Sequence, residues 1–367
     1  MTAPTDLSDV LATDPFSRDD IVRLLRAEGD ERLRLFRHAA AIKEQHVGKV
    51  TWLRGLIESS NVCEKDCLYC GIRAGNRNVT RYRMQDDEIL EAVRFASEQG
   101  YGSVVLQSGE IRHAAFTARV SRLLDAIAGI GDGAMRVTLS FGEQDEKTYR
   151  EWHDHGARRY LLRIETSNRA LYARLHPNDA LHDYDARLRC LTLLRETGYQ
   201  VGTGVMIGFP FQTDEDLADD LLFMQRIDVD MVGMGPYIEH PDTPLYAHRE
   251  ELAPVAHRID RTLKMVAILR SMMKNINIAA VTALQALDPV GRERALAAGA
   301  NVIMPNITPE RYRNAYTLYT GKPCTDENPE ECATCMDLRI AMAGDTVGYG
   351  AHGDSVHWTA RMAKEGH

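Results

Sequence analysis

The sequence predicts an α/β protein: a complete (β/α)8 barrel of the TIM type, with a helical extension before it and a cysteine-bearing segment after it. Three observations carry that expectation. The chain has 367 residues, enough for the roughly 250 that a closed eight-stranded barrel needs. Eight short, β-branched apolar runs alternate with longer amphipathic segments between residues 50 and 304, the pattern of parallel strands joined by crossover helices. Glycine closes several of the amphipathic segments, at Gly100, Gly156, Gly198 and Gly299, as helix C-termini favour.

In chain order, residues 1–15 read as a loose polar tail. Ser17 stands three residues before Asp20, the spacing of a capping box, and Ile21, Leu24 and Leu25 then form an apolar stripe. A second helix is expected over 30–47. The first strand falls at 53–57 and delivers the following loop at its C-terminal end. Further strands are expected at 103–107, 135–140, 159–164, 201–207, 231–234, 277–281 and 301–304. Helices are expected at 86–99, 116–130, 145–155, 188–197, 214–227, 259–273 and 291–298. The chain thus divides into a tail with helices (1–48), the barrel (49–310) and a C-terminal segment (311–367).

Hydrophobic residues make up 44% and charged residues 26% of the chain, ordinary for a globular protein. The net charge of -9 argues against a broad nucleic-acid surface, which would be basic. No apolar run approaches the roughly 20 residues that span a bilayer, and the N-terminal residues lack a secretion-signal pattern. A cytoplasmic protein with no nucleic-acid or membrane partner is expected. Of seven cysteines, six fall in two tight groups, which in a reducing compartment suggests metal binding over disulfides. Cys190 stands alone on an expected helix and reads as a small buried hydrophobe.

The first group is Cys63, Cys67 and Cys70, spaced C-x3-C-x2-C with Tyr69 just before the third. Iron–sulfur clusters normally take four thiolates. Three thiolates on a [4Fe–4S] cube leave one iron open to a small molecule. A zinc site or unrelated thiols are the plainer alternatives, although structural zinc prefers four ligands and the loop holds no histidine. The second group, Cys324, Cys332 and Cys335, lies in an acidic stretch. It reads as an auxiliary iron–sulfur site, with zinc or an empty site as alternatives.

Barrel chemistry gathers at the C-terminal ends of strands, and polar residues fall there. Ser108, Gly109 and Glu110 follow the second strand, where an ordinary βα turn is the alternative. Thr138 and Ser140 alternate onto one side of the third, with Glu143 beyond. Arg163 and Glu165 share a face of the fourth, where charges in a lumen point to a ligand because they are costly unless paired. Met206 and Gly208 end the fifth. His240 to Pro244 form a turn-rich rim after the sixth. Arg187 sits on an expected helix, where a solvated charge is the default.

The cysteine run and its aromatic neighbour resemble the signature of the radical S-adenosylmethionine (SAM) enzymes. Further stretches, at 60–73, 81–84, 105–110, 137–140, 163–168, 230–235, 240–245 and 299–306, resemble the HydE maturases of [FeFe]-hydrogenase. That resemblance implies a complete (β/α)8 barrel with a [4Fe–4S] cluster on Cys63, Cys67 and Cys70. It implies SAM held by Tyr69, Ser108, Gly109 and Glu110, together with Glu165, Arg187 and Met206. Thr138, Ser140 and Arg163 would line the substrate cavity, joined by Thr282 and Tyr316. The substrate would be a small molecule or an iron–carbonyl–cyanide complex. An electron donor such as a flavodoxin or ferredoxin, and other hydrogenase maturation proteins, would be partners. Cys324, Cys332 and Cys335 match a variable second cluster, [2Fe–2S] or [4Fe–4S]. The sequence departs from the family at Ile111-Arg112, Ile164 and Phe211, where Asp-Pro, His and Gly are usual. A paralogue resembling methylornithine synthase, acting on an amino acid, and a non-catalytic iron–sulfur carrier are the competing readings.

Overall fold

A parallel sheet organises the chain in the computed structural model, which describes residues 6–323 and 329–365. Its strands are β1 (Val50–Ser60), β2 (Ser103–Ser108), β3 (Arg136–Ser140), β4 (Ala157–Leu161), β5 (Gln200–Thr203), β6 (Met206–Ile207), β7 (Met231–Val232), β8 (Gly235–Pro236), β9 (Asn277–Ile278), β10 (Val302–Ile303) and β11 (Thr346–Val347). The order is β10-β1-β2-β3-β4-β5-β7-β9, parallel throughout. β6 and β8 pair with each other beyond the ends of β5 and β7.

The eight main strands match the expected number, and they curve through 272°. A continuous ladder around the whole circle, which the sequence predicts, is not formed. β9 and β10 touch through one bridge, Ala279 to Val302, and through the Asn301 N–H on the Ile278 carbonyl at 2.9 Å. The physical reason lies in two buried asparagines. Asn301 Oδ1 accepts the Ile278 N–H at 2.9 Å, and Asn301 Nδ2 donates to Asn277 Oδ1 at 2.8 Å. Side-chain amides thus do work that backbone does elsewhere in the sheet.

β4 also ends earlier than expected, at Leu161; beyond it the chain bridges to the neighbouring strand again at Glu165–Val205, where Glu165 takes a left-handed φ of 67°. Helices cover the outside of the sheet, and the main core lies between them and the strands, with Val104, Leu106, Leu139 and Tyr160 in it. The Ser17–Asp20 capping box forms as expected. Residues 6–15 are not a loose tail, however: Asp6 caps a helix, Leu7–Leu11, that buries Leu7 and Val10. Alternation of polar and apolar residues is too brief there to announce a five-residue helix.

The C-terminal segment is built into the barrel. β11 pairs with the start of β1, and residues 352–355 cross the N-terminal mouth. There Asp354 Oδ1 receives Arg159 at 2.5 Å and Gln200 at 2.6 Å. The Gly353 carbonyl receives Arg54 at 3.1 Å and Asn277 at 2.9 Å. Cys324 lies outside the described residues. Cys332 and Cys335 belong to the helix Pro329–Met342, with their side chains outside the description. No helix among the described residues is long and apolar enough to cross a membrane.

Candidate functional site

β1 ends at Ser60 and hands the chain to the cysteine loop at the opposite mouth. Asn61 anchors that loop: its Nδ2 donates to Thr80 and Ala315 carbonyls at 2.8 and 2.6 Å. Arg81 donates to four loop carbonyls, those of Asn61, Ile72, Arg73 and Asn76, at 2.6–3.2 Å. Neighbouring loops close on it through the Leu68 N–H on Leu175 O at 3.0 Å and the Gly71 N–H on Leu318 O at 2.9 Å. Only glycine fits at position 71, since a Cβ would stand 2.0 Å from the Thr317 carbonyl.

Burial raises all three thiols above their usual range, Cys67 to about 12, and Cys70 is raised further by its two partners. Iron would hold them as thiolates. Among the described residues no three His, Cys, Asp or Glu side chains converge on a single ion. The loop nonetheless suits a larger iron–sulfur group. The Glu110 N–H points at Cys63 Sγ at 3.3 Å, and buried cations stand nearby to offset thiolate charge.

Those cations belong to a lattice that sequence reasoning saw only in part. Glu110 and Arg187 are both buried, and so are Lys65 and Glu143. Lys65 Nζ lies 3.0 Å from Glu143 and 3.3 Å from Glu110. Arg187 lies 2.9 Å from Glu143 and 3.8 Å from Glu110. Arg112 reaches Glu110 at 3.0 Å and closes on Glu143 as well. Burial works to raise the Glu143 carboxyl, but Arg187 and Lys65 hold it below the usual range. Two glycines permit the arrangement. A Cβ on Gly109 would stand 2.3 Å from the Val62 carbonyl, and one on Gly142, at φ 73°, would stand 2.1 Å from Glu110 Oε2. The missed signal was Lys65: a lysine between two ligand-type cysteines needs a partner if the loop is buried.

Beside the lattice, Arg163 grips Glu165 with two hydrogen bonds, 2.8 and 2.9 Å long. The expected pairing is there, but a turn makes it, not strand alternation. Tyr69 meets His176 at 3.2 Å through its hydroxyl and packs on Phe209, with Met206 against the same small apolar cluster. Ser108 turns its hydroxyl onto the Gly109 carbonyl at 2.6 Å.

Thr138 faces the lumen. Its hydroxyl is buried without a partner, in a cavity of about 30 Å³ shared with Arg54, Val105 and Met231. Ser140 stands one layer higher, in register with Gln107, whose amide donates to the buried Tyr316 hydroxyl at 3.0 Å. Thr282 instead accepts from Arg292 at 3.0 Å. Ile164 packs in the main core and does not line the cavity around Thr138. Phe211, at φ 74°, lies under the Arg174 guanidinium at the rim.

Comparison with known proteins adds identity to this geometry. Residues 57–224 match the Radical SAM superfamily. The chain is 44% identical to the [FeFe] hydrogenase maturase subunit HydE of Thermotoga maritima over 314 residues, 86% of each chain. The crystal structure of methylornithine synthase superposes with a TM-score of 0.78 at 23% identity, covering 94% of this chain and 97% of that one. The crystal structure of HydG, a maturase of the [FeFe]-hydrogenase, superposes at 0.80 with 19% identity, covering 98% and 80%. At those identities the two structures speak for the fold alone.

Proposed function

The chain belongs to the HydE family of the radical SAM superfamily, and from that premise we propose that it acts in maturation of the [FeFe]-hydrogenase active-site cluster. The observation that carries the reading is one mouth of the barrel where the Glu110 N–H meets Cys63 Sγ at 3.3 Å and the Glu110 carboxylate stands 3.8 Å from Arg187. Cys63, Cys67 and Cys70 would hold a [4Fe–4S] cluster through their thiolates. When bound, cluster and SAM supply an electron and the 5′-deoxyadenosyl radical that it releases from SAM.

The chain's own residues bind and orient. Arg187 offers its guanidinium to the SAM carboxylate, and Glu110 with the Ser108–Gly109 turn offers acceptors to the ammonium. Glu165, kept in place by Arg163, faces the same ligand, with Tyr69 and Met206 at its edge. Thr138, Ser140 and Tyr316 present hydroxyls to a small molecule or iron complex in the lumen, where the surrounding protein excludes water. Residues 49–310 form the barrel, completed by the contact of β9 with β10. Residues 1–48 and 311–367 flank it, and Cys324, Cys332 and Cys335 hold a second iron–sulfur cluster. The setting is the cytoplasm, with a flavodoxin or ferredoxin as reductant and other maturation proteins as partners.

The decisive experiment is anaerobic reconstitution with iron and sulfide, followed by dithionite and SAM. The wild type is expected to release 5′-deoxyadenosine, and Cys67→Ala to lose both cluster and cleavage. A cluster-loaded wild type that forms none overturns the reading. Complementation of a strain lacking HydE then separates a maturase from an amino-acid mutase on the same fold.

A further inference from the structure

We propose that Arg112 is a positioning residue that sets the affinity for SAM by keeping one positive charge in excess at the carboxylate end of its site. The inference rests on the SAM reading above. Three cations, Lys65, Arg112 and Arg187, share two carboxylates, Glu110 and Glu143. The balance, three minus two, leaves one positive charge with no anion inside the lattice.

Position decides what Arg112 does with it. Lys65 and Arg187 have side chains only 4% and 10% exposed, and Arg112 is 40% exposed. Arg112 enters from the outer side, from a groove of about 550 Å³ that it shares with His113, Thr117, Gln144, Lys147 and Thr148. Its Nε donates to the Glu143 carbonyl at 3.0 Å, which fixes the guanidinium across both acids. Both acids also contact Arg187. By competing for them, Arg112 weakens their claim on Arg187 and leaves that inner guanidinium free to attract an incoming carboxylate.

Removal of the Arg112 charge therefore makes the lattice neutral and leaves Arg187 matched by Glu143. Arg112 makes no hydrogen bond to the cysteine loop itself; the Glu110 backbone, which meets Cys63 Sγ and the Glu64 N–H, keeps those contacts without it. Arg112 acts through Glu110, Glu143 and Arg187; it does not itself touch SAM.

The test compares cluster-loaded wild type, Arg112→Gln and Arg112→Lys. The SAM dissociation constant is measured by equilibrium dialysis, and independently by the change SAM causes in the EPR spectrum of the reduced cluster. Arg112→Gln is expected to bind SAM about tenfold more weakly, equivalent to ~1.4 kcal/mol. Its iron content and its rate at saturating SAM should be unchanged. Arg112→Lys, which keeps the charge, is expected to recover most of the affinity, and 1 M salt to narrow the gap because Arg112 is half exposed to solvent. Equal affinities for wild type and Arg112→Gln overturn the proposal. So does a lysine variant as weak as the glutamine one. If wild type with a full cluster binds no SAM, the SAM reading itself falls, a result distinct from either.

Discussion

Arg81 shows what one residue can hold together. Its guanidinium satisfies four carbonyls of the cysteine loop, and hydrogen bonds to a charged group are worth about 1.5–3 kcal/mol each when a partner is lost. Arg81→Met is expected to lower the thermal midpoint clearly and to cut the iron bound per chain by more than half after reconstitution. Normal iron content in that variant would show that the loop orders without it. The sequence exposed the arginine within a recognisable stretch, yet not its task. Its partners are backbone carbonyls, which carry no residue-type signature. Glu143 was visible beyond the third strand, but its partners Lys65, Arg112 and Arg187 come from three separate stretches of chain, which no local pattern links. By contrast Cys63, Cys67 and Cys70 were legible because ligand chemistry fixes both residue type and spacing.

At the scale of elements, the strand order and the crossover helices were legible from periodicity alone, since burying a parallel strand on both faces requires an apolar run. What escaped was the length of β7, β9 and β10, each two residues long. Apolar runs continue past the point where backbone pairing stops, so hydrophobicity overstates the ladder. At the β9–β10 junction Asn301 binds the Ile278 N–H, Asn277 and, at 3.0 Å, Arg270. Asn301→Ala leaves a buried guanidinium and a buried N–H short of an acceptor, at a cost of about 3 kcal/mol. Chemical denaturation should show that loss, and Asn301→Asp should do less damage because it keeps the acceptor for Arg270.

For the whole molecule, the floor of the barrel is the C-terminal segment. Asp354 faces the fully buried Arg159, with Arg136 at 3.3 Å. Burial works to raise the Asp354 carboxyl, but Arg159 and its neighbours hold it below the usual range. Its share of stability is thus complete above the unfolded carboxylate value, about pH 4, and fades as pH falls through the lower folded value. Asp354→Asn should cost about 3 kcal/mol at pH 7, and its melting temperature should fall less steeply than that of the wild type on acidification. A variant as stable as wild type at pH 7 would count against this role. Residue identity did not advertise the floor, because its partners stand 76 to 299 positions apart along the chain. That separation also sets an order of events during synthesis. Arg54 and Arg159 leave the ribosome long before residues 353 and 354, so their guanidinium groups stay solvated until that segment settles on them. The N-terminal mouth therefore closes only after residues 352–355 are made, which places the floor among the last contacts of the barrel to form.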